Sequence, residues 1–88
     1  MFADKFAAPP GWSDHGDRLT AEFVFDSFAA AIAFVNDVAQ LADSINHHPD
    51  IDIRYRRVRL VLTTHDAGGL TALDYELAAL ISAAGDCA

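Results

Sequence analysis

Apolar residues fall on odd positions in Ile51, Ile53 and Tyr55 and on even positions in Val58, Leu60 and Leu62. Alternation with period two marks half-buried strands, and the change of parity marks a two-residue turn, which the pattern places at Arg56-Arg57. In that register Tyr55 pairs with Val58, Ile53 with Leu60 and Ile51 with Leu62, so both apolar sets share one sheet face. Continued outward, the ladder sets His48 opposite His65. Arg-Arg is not a favoured pair for a tight primed turn, which leaves a shift of one residue or a bulge open. In each case His65 returns beside the His47-His48 corner.

The same reading extends along the chain. Trp12 to Phe25 predicts a hairpin turning at His15-Gly16, with Leu19, Ala21, Phe23 and Phe25 on one face and Trp12 opposite Leu19. Asp26 or Ser27 can cap a helix whose stripe is Phe28, Ile32, Val35, Val38 or Ala39, Ala42 and Ile45. Pro49 disfavours helical geometry at His48, so the helix is predicted to end near His47. Beyond a loop at Asp66 to Gly69, Thr71 caps a second helix carrying Leu73, Leu77, Leu80, Ile81 and Ala84, with Gly85 as its stop. The expected fold is an α+β two-layer domain, a four-stranded, mostly antiparallel sheet with two helices on one face. Pro9-Pro10 makes residues 1–10 an expected irregular arm, residues 11–85 the single domain and 86–88 a tail.

Length and charge narrow the partners. A chain of 88 residues has one small core, for which self-association is a natural supplement. Six basic against thirteen acidic residues argue against direct binding of nucleic acid. Cys87 has no second cysteine to bridge to and suits a reducing cytoplasm. Met1 to Pro10 fits neither a signal peptide nor an anchor, and Asn36, Asp37, Gln40 and Asp43 interrupt the longest apolar-rich stretch. The expectation is a soluble cytoplasmic protein with no membrane association.

Three of the four histidines, His47, His48 and His65, gather with Asp43 and Asp74 in one folded-back stretch. Imidazole gives and takes protons near pH 7, so the stretch reads as an acid/base site. Asp43 and His47 are four apart at the helix end, where a carboxylate would orient the ring; a weak exposed ion pair is the structural alternative. Thr71-Ala72-Leu73-Asp74 resembles a capping box, which competes with a chemical role for Asp74. Tyr55 has core-facing parity, and Trp12 belongs to the core or stacks on a flat ring. Arg54, Arg56, Arg57 and Arg59 read as a solvated hairpin tip, with an anion or partner patch as the alternative. His47, His48, His65 and Asp74 offer metal ligands, but their spacing fits no familiar zinc pattern, and no metal is expected. Ser44 sits in no recognisable nucleophile turn.

The spacing itself carries a resemblance. Asp43, three residues, His47-His48-Pro49, five residues, Tyr55, nine residues, His65, eight residues and Asp74 resemble the signature of the pterin-4a-carbinolamine dehydratases at every position. Thr64 to Thr71 and Gly11-Trp12 also resemble that family, over roughly residues 11–84. The chain is expected to depart from it in a short or absent helix before Gly11-Trp12, and it carries Asp43 where many relatives carry Glu.

The resemblance implies dehydration of a 4a-hydroxytetrahydropterin to a quinonoid dihydropterin, in recycling of a tetrahydrobiopterin-type cofactor. It implies His48 and His65 as the principal acid/base pair, His47 as a further such group, Asp43 as its orienter and Asp74 as support. Pterin contacts carry over to Asn46, His47, His48, Thr63, Thr64, His65 and Asp66, with no cofactor required. The implied partners are the pterin and copies of the chain in a homodimer or dimer-based tetramer. Mammalian members also bind and stabilise a transcription-factor dimer, so a non-catalytic interaction or coactivator protein is the alternative.

Overall fold

The computed structural model describes residues 8–87, with the side chains of His65 and of residues 85–87 outside that description. Most of the expected arm therefore lies outside the described residues, while Ala8 packs against the core. Strands β1 (Trp12–Asp14) and β2 (Leu19–Val24) precede helix α1 (Phe28–Ser44). Strands β3 (Asp50–Arg54) and β4 (Arg57–Leu62), a 3-10 turn at His65–Ala67 and helix α2 (Ala72–Cys87) follow. The four strands form one antiparallel sheet in the order β1-β2-β4-β3, and the helices cover one face, as the α+β expectation has it.

Both hairpins turn one residue away from the predicted place. In the first, Trp12 lies opposite Ala21 and Asp14 opposite Leu19, and His15 N donates to Arg18 O at 2.9 Å, so Gly16-Asp17 makes the turn. Gly16, at φ 90°, supplies the left-handed geometry that His15 would resist. In the second, Ile51 pairs with Leu60 and Ile53 with Val58, so Tyr55-Arg56 rather than Arg56-Arg57 makes the turn. Tyr55 takes a φ of 57° there and is exposed, which corrects its expected place in the core. Each slip moves the pairing by two positions, which preserves the shared face and loses the register. Continued outward, the observed ladder sets His48 level with Thr63 rather than His65.

The core joins Leu19 and Ala21 of β2 and Val58, Leu60 and Leu62 of β4 to both helices. From α1 the buried residues are Ala31, Phe34, Val38 and Ala42, offset from the stripe predicted from Phe28, which is exposed. Val38 and Ala42 belong to both sets, while Ala31 and Phe34 lie outside the predicted stripe. Phe34 packs between Phe23 and Phe25, with ring centroids 4.8 and 5.0 Å away. Trp12 is buried and donates from Nε1 to Ser82 Oγ at 2.9 Å, tying the first hairpin to α2.

Helix α1 begins where Ser27 Oγ accepts from Ala30 N, a normal N-cap. Helix α2 buries Leu77, Ala78 and Ile81, leaves Leu73 and Leu80 partly exposed, and runs past Gly85 to Cys87. Edge strand β3 is exposed along its length, including Ile51 and Ile53 on the helix-covered side of the sheet. On the opposite face, Glu22, Asp52, Arg54, Arg57 and Arg59 line a shallow charged surface, as the solvated reading of the arginines expects. Among the described residues, no helix is long and apolar enough to cross a membrane.

Candidate active site

The end of α1 aims the two adjacent histidines apart. Helix geometry stops at Ser44, and Asn46 takes a φ of 51°. His47 N donates to Ala42 O at 3.0 Å and Asn46 N to Asp43 O at 3.3 Å, the paired bonds of a Schellman ending. Asn tolerates this left-handed position better than most residues. Because the helix closes before His47, that residue is no longer one helical turn from Asp43, and the predicted Asp43–His47 pair does not form.

His47 instead turns inward to α2. Its Nε2 lies 2.5 Å from Oδ1 of Asp74, a fully buried carboxylate. Asp74 Oδ2 accepts from Thr64 Oγ1 at 2.7 Å and from Thr71 N at 2.9 Å. Asp74 thus reaches back to the helix start, as the capping-box reading expects, through Oδ2, and holds His47 through Oδ1. Burial removes water as a competing partner, so every donor around this carboxylate is matched within the protein.

Asp43 is exposed and pairs with His48, Oδ1 to Nε2, at 2.9 Å. Asp43 therefore meets the neighbouring ring rather than His47, five residues on, reached because Asn46 reverses the chain. Thr64 N donates to Gly69 O at 3.0 Å and Gly69 N to Thr64 O at 3.3 Å, closing the loop that carries the backbone of His65. The expected acid/base role of the His65 side chain lies outside the described residues. Thr63 Oγ1 donates to Asp17 O at 2.8 Å, bringing the first hairpin turn against the same loop. A hollow of about 330 Å³ opens there, lined by Asp17, Arg18, Thr63, Gly68 and Gly69. Asp66 is exposed at the loop surface.

On the far side of this turn, Tyr75 Oη donates to Asp14 Oδ2 at 2.8 Å, and Gly16 N donates to Asp14 Oδ1 at 2.8 Å. The Gly16 amide, then the Tyr75 hydroxyl, hold the Asp14 carboxyl below its ordinary 3.8. The Asp14 hydrogen bond in turn pushes the Tyr75 hydroxyl above its ordinary 10.0. Reasoning from sequence missed this clamp because its partners are 61 residues apart. It also missed the Thr64 hydroxyl as a partner of Asp74, a contact across ten positions, with the Thr71 hydroxyl behind it on Thr64 Oγ1.

A family model described as Pterin 4 alpha carbinolamine dehydratase matches residues 2–84. The chain belongs to this family. It is 57% identical over 79 residues to the "Putative pterin-4-alpha-carbinolamine dehydratase" of Chloroflexus aurantiacus, covering 90% of this chain and 85% of that one. A protein of the same name from Thermomicrobium roseum is 58% identical over 69 residues, 78% of this chain and 74% of the relative. Among solved structures, a "transcriptional coactivator/pterin dehydratase" from Brucella melitensis superposes with a TM-score of 0.84 at 31% identity, covering 96% of this chain and 92% of that one. A pterin dehydratase-like protein identified as a RuBisCO assembly factor in the alpha-carboxysome shares the fold, with a TM-score of 0.70 at 21% identity and coverage of 92% and 93%. Proteins of this fold thus carry other roles in their descriptions.

Proposed function

We propose that this chain is a hydro-lyase that dehydrates a 4a-hydroxytetrahydropterin to a quinonoid dihydropterin, recycling a tetrahydrobiopterin-type cofactor in the cytoplasm. The observation that carries the reading is the joining of His47, through buried Asp74 and Thr64, to the loop of His65, within a chain of the dehydratase family. The reaction needs a proton delivered to the departing 4a-hydroxyl, which leaves as water, and a proton removed from the neighbouring ring nitrogen. The nitrogen lone pair expels the hydroxyl, so neither step calls for a metal or a cofactor. His48 and His65 form the principal acid/base pair, and His47 is a further proton-exchanging group.

Each positioned acid or base contributes about a hundred- to ten-thousand-fold. Two or three imidazoles are sufficient for an elimination that the substrate already assists. Asn46, Thr63, Thr64 and Asp66 contact the pterin edge, largely through backbone groups. The exposed β3 edge and its Ile51 and Ile53 favour assembly as a homodimer or dimer-based tetramer. A second reading, an interaction protein on the same fold, is favoured by the double name of the Brucella melitensis structure.

Stopped-flow turnover of a synthetic 4a-hydroxytetrahydropterin decides between them. Acceleration over the buffer rate that survives a metal chelator is expected. Absence of acceleration by the folded protein would leave the interaction reading.

A further inference from the structure

The polar chain behind His47 runs beyond its carboxylate. Thr64 Oγ1 lies 2.7 Å from Asp74 Oδ2 and 2.8 Å from Thr71 Oγ1, and Thr71 N lies 2.9 Å from the same Oδ2. An inventory of donors gives the chain a direction. A carboxylate only accepts, so Thr64 spends its single hydroxyl proton on Asp74, and Thr71 must give its own to Thr64 Oγ1. By the same count the proton between His47 and Asp74 sits on Nε2, which leaves Nδ1 as the nitrogen free to exchange protons.

Thr64 also holds the His65 loop through its backbone, bonding Gly69 in both directions and accepting from Ala67 N at 3.0 Å. One residue therefore connects the two histidine-bearing segments. Its side chain sets the carboxylate of one, and its main chain closes the loop of the other.

We propose that Thr64 is a positioning residue for His47: its hydroxyl orients the Asp74 carboxylate and so locks the imidazole in the Nε2–H tautomer, with Nδ1 as the working nitrogen. The kinetic part of this proposal rests on the dehydratase reading; the tautomer part does not. Replacing Thr64 by Val keeps the branched shape and removes the donor. Asp74 then retains only Thr71 N on Oδ2 and can turn Oδ1 away from Nε2, which leaves the ring to carry its proton on either nitrogen.

Long-range nitrogen–proton correlation spectra of the labelled full chain read the tautomer directly. The unaltered protein should show His47 protonated at Nε2 and bare at Nδ1. Thr64→Val should show both tautomers in comparable amounts, and Thr64→Ser should restore the single form. Supporting partners behind metal-ligating histidines are worth about tenfold or more; with that as the scale, the Val variant should lose roughly tenfold in kcat with KM changed less than about twofold. The Ser variant should recover to within about twofold of the unaltered rate. A folded Thr64→Val protein that keeps one Nε2–H tautomer overturns the proposal, whatever its activity. So does an unaltered protein whose His47 carries its proton on Nδ1, a result independent of any variant's folding. Absent turnover beside the expected spectra would instead count against the dehydratase reading and leave the positioning role standing.

Discussion

His47 and His48 are neighbours in sequence, and each meets an aspartate through Nε2, yet the two pairs inhabit different physical settings. The His47–Asp74 side chains are 11% and 0% exposed, whereas those of His48–Asp43 are 57% and 78% exposed. Water competes with the second pair for every hydrogen bond and screens its charges, which limits such contacts to about 0–1 kcal/mol. The first pair has no such competitor and is braced by two further donors on the far oxygen of Asp74. A short left-handed step at Asn46 thus divides one dipeptide into a fixed histidine and an adjustable one, the fixed ring set by the fold and the other open to solvent.

The sharpest way to break this contrast is to remove each acid in turn. Asp74→Ala strands Thr71 N, the Thr64 hydroxyl and His47 Nε2 without their acceptor, and should cost about 3 kcal/mol or more. Asp43→Ala should cost less than about 0.5 kcal/mol. Urea denaturation of both variants measures the difference; equal midpoints would erase the distinction.

The next largest effect concerns turnover. His48→Ala and His65→Ala should each lower kcat by about a hundredfold or more, and His48→Ala should leave the denaturation midpoint near that of the parent chain. His47→Ala should reduce both quantities, because it also strips a buried carboxylate of a partner. Near-normal rates in folded His48 and His65 variants would reduce the corner to a binding or structural feature.

A smaller effect is expected from Asp43→Asn, which keeps the shape of the exposed pair and removes its charge. It should lower kcat only a few-fold, by about threefold, and act through His48 rather than His47. A double-variant cycle with His48→Ala checks this: the Asp43 effect should vanish when His48 is absent.

The smallest effect tests the clamp behind the first hairpin turn. The Asp14 carboxyl is lowered in the folded chain, so its stabilising contribution is present above 3.8 and is lost as pH falls through the lowered folded value. Tyr75→Phe removes one cause of that lowering. The variant should therefore be less stable than the parent at pH 7, and the gap should close in acid. Thermal unfolding at pH 7 and near pH 3 provides the comparison; a gap that widens in acid would contradict the sign.

Much of the fold was legible because strand alternation is insensitive to the errors made in placing the turns. Moving the second turn from Arg56-Arg57 to Tyr55-Arg56 changes every partner and leaves Ile51, Ile53, Val58 and Leu60 on one face. The turn could not be read because Tyr55 adopts a conformation that its residue type does not favour. The histidine corner was legible as a neighbourhood, since the two strands had to bring the His65 loop back to it. Its pairings were not, because they depend on a single left-handed residue that ends α1 early. Asp74 emerged from its capping spacing, whereas the inward swing of His47 toward it is a tertiary contact over 27 positions.

Trp12 gives the molecule a built-in optical gauge. It is the only tryptophan in the chain, it is buried, and its indole nitrogen is bonded to Ser82 of α2. Its emission therefore reports whether the first hairpin remains docked on the second helix, separately from the helical circular dichroism contributed mostly by α1 and α2. A shift of emission to longer wavelength while the helical signal persists would reveal the hairpin detaching as a unit, without any label attached to the protein.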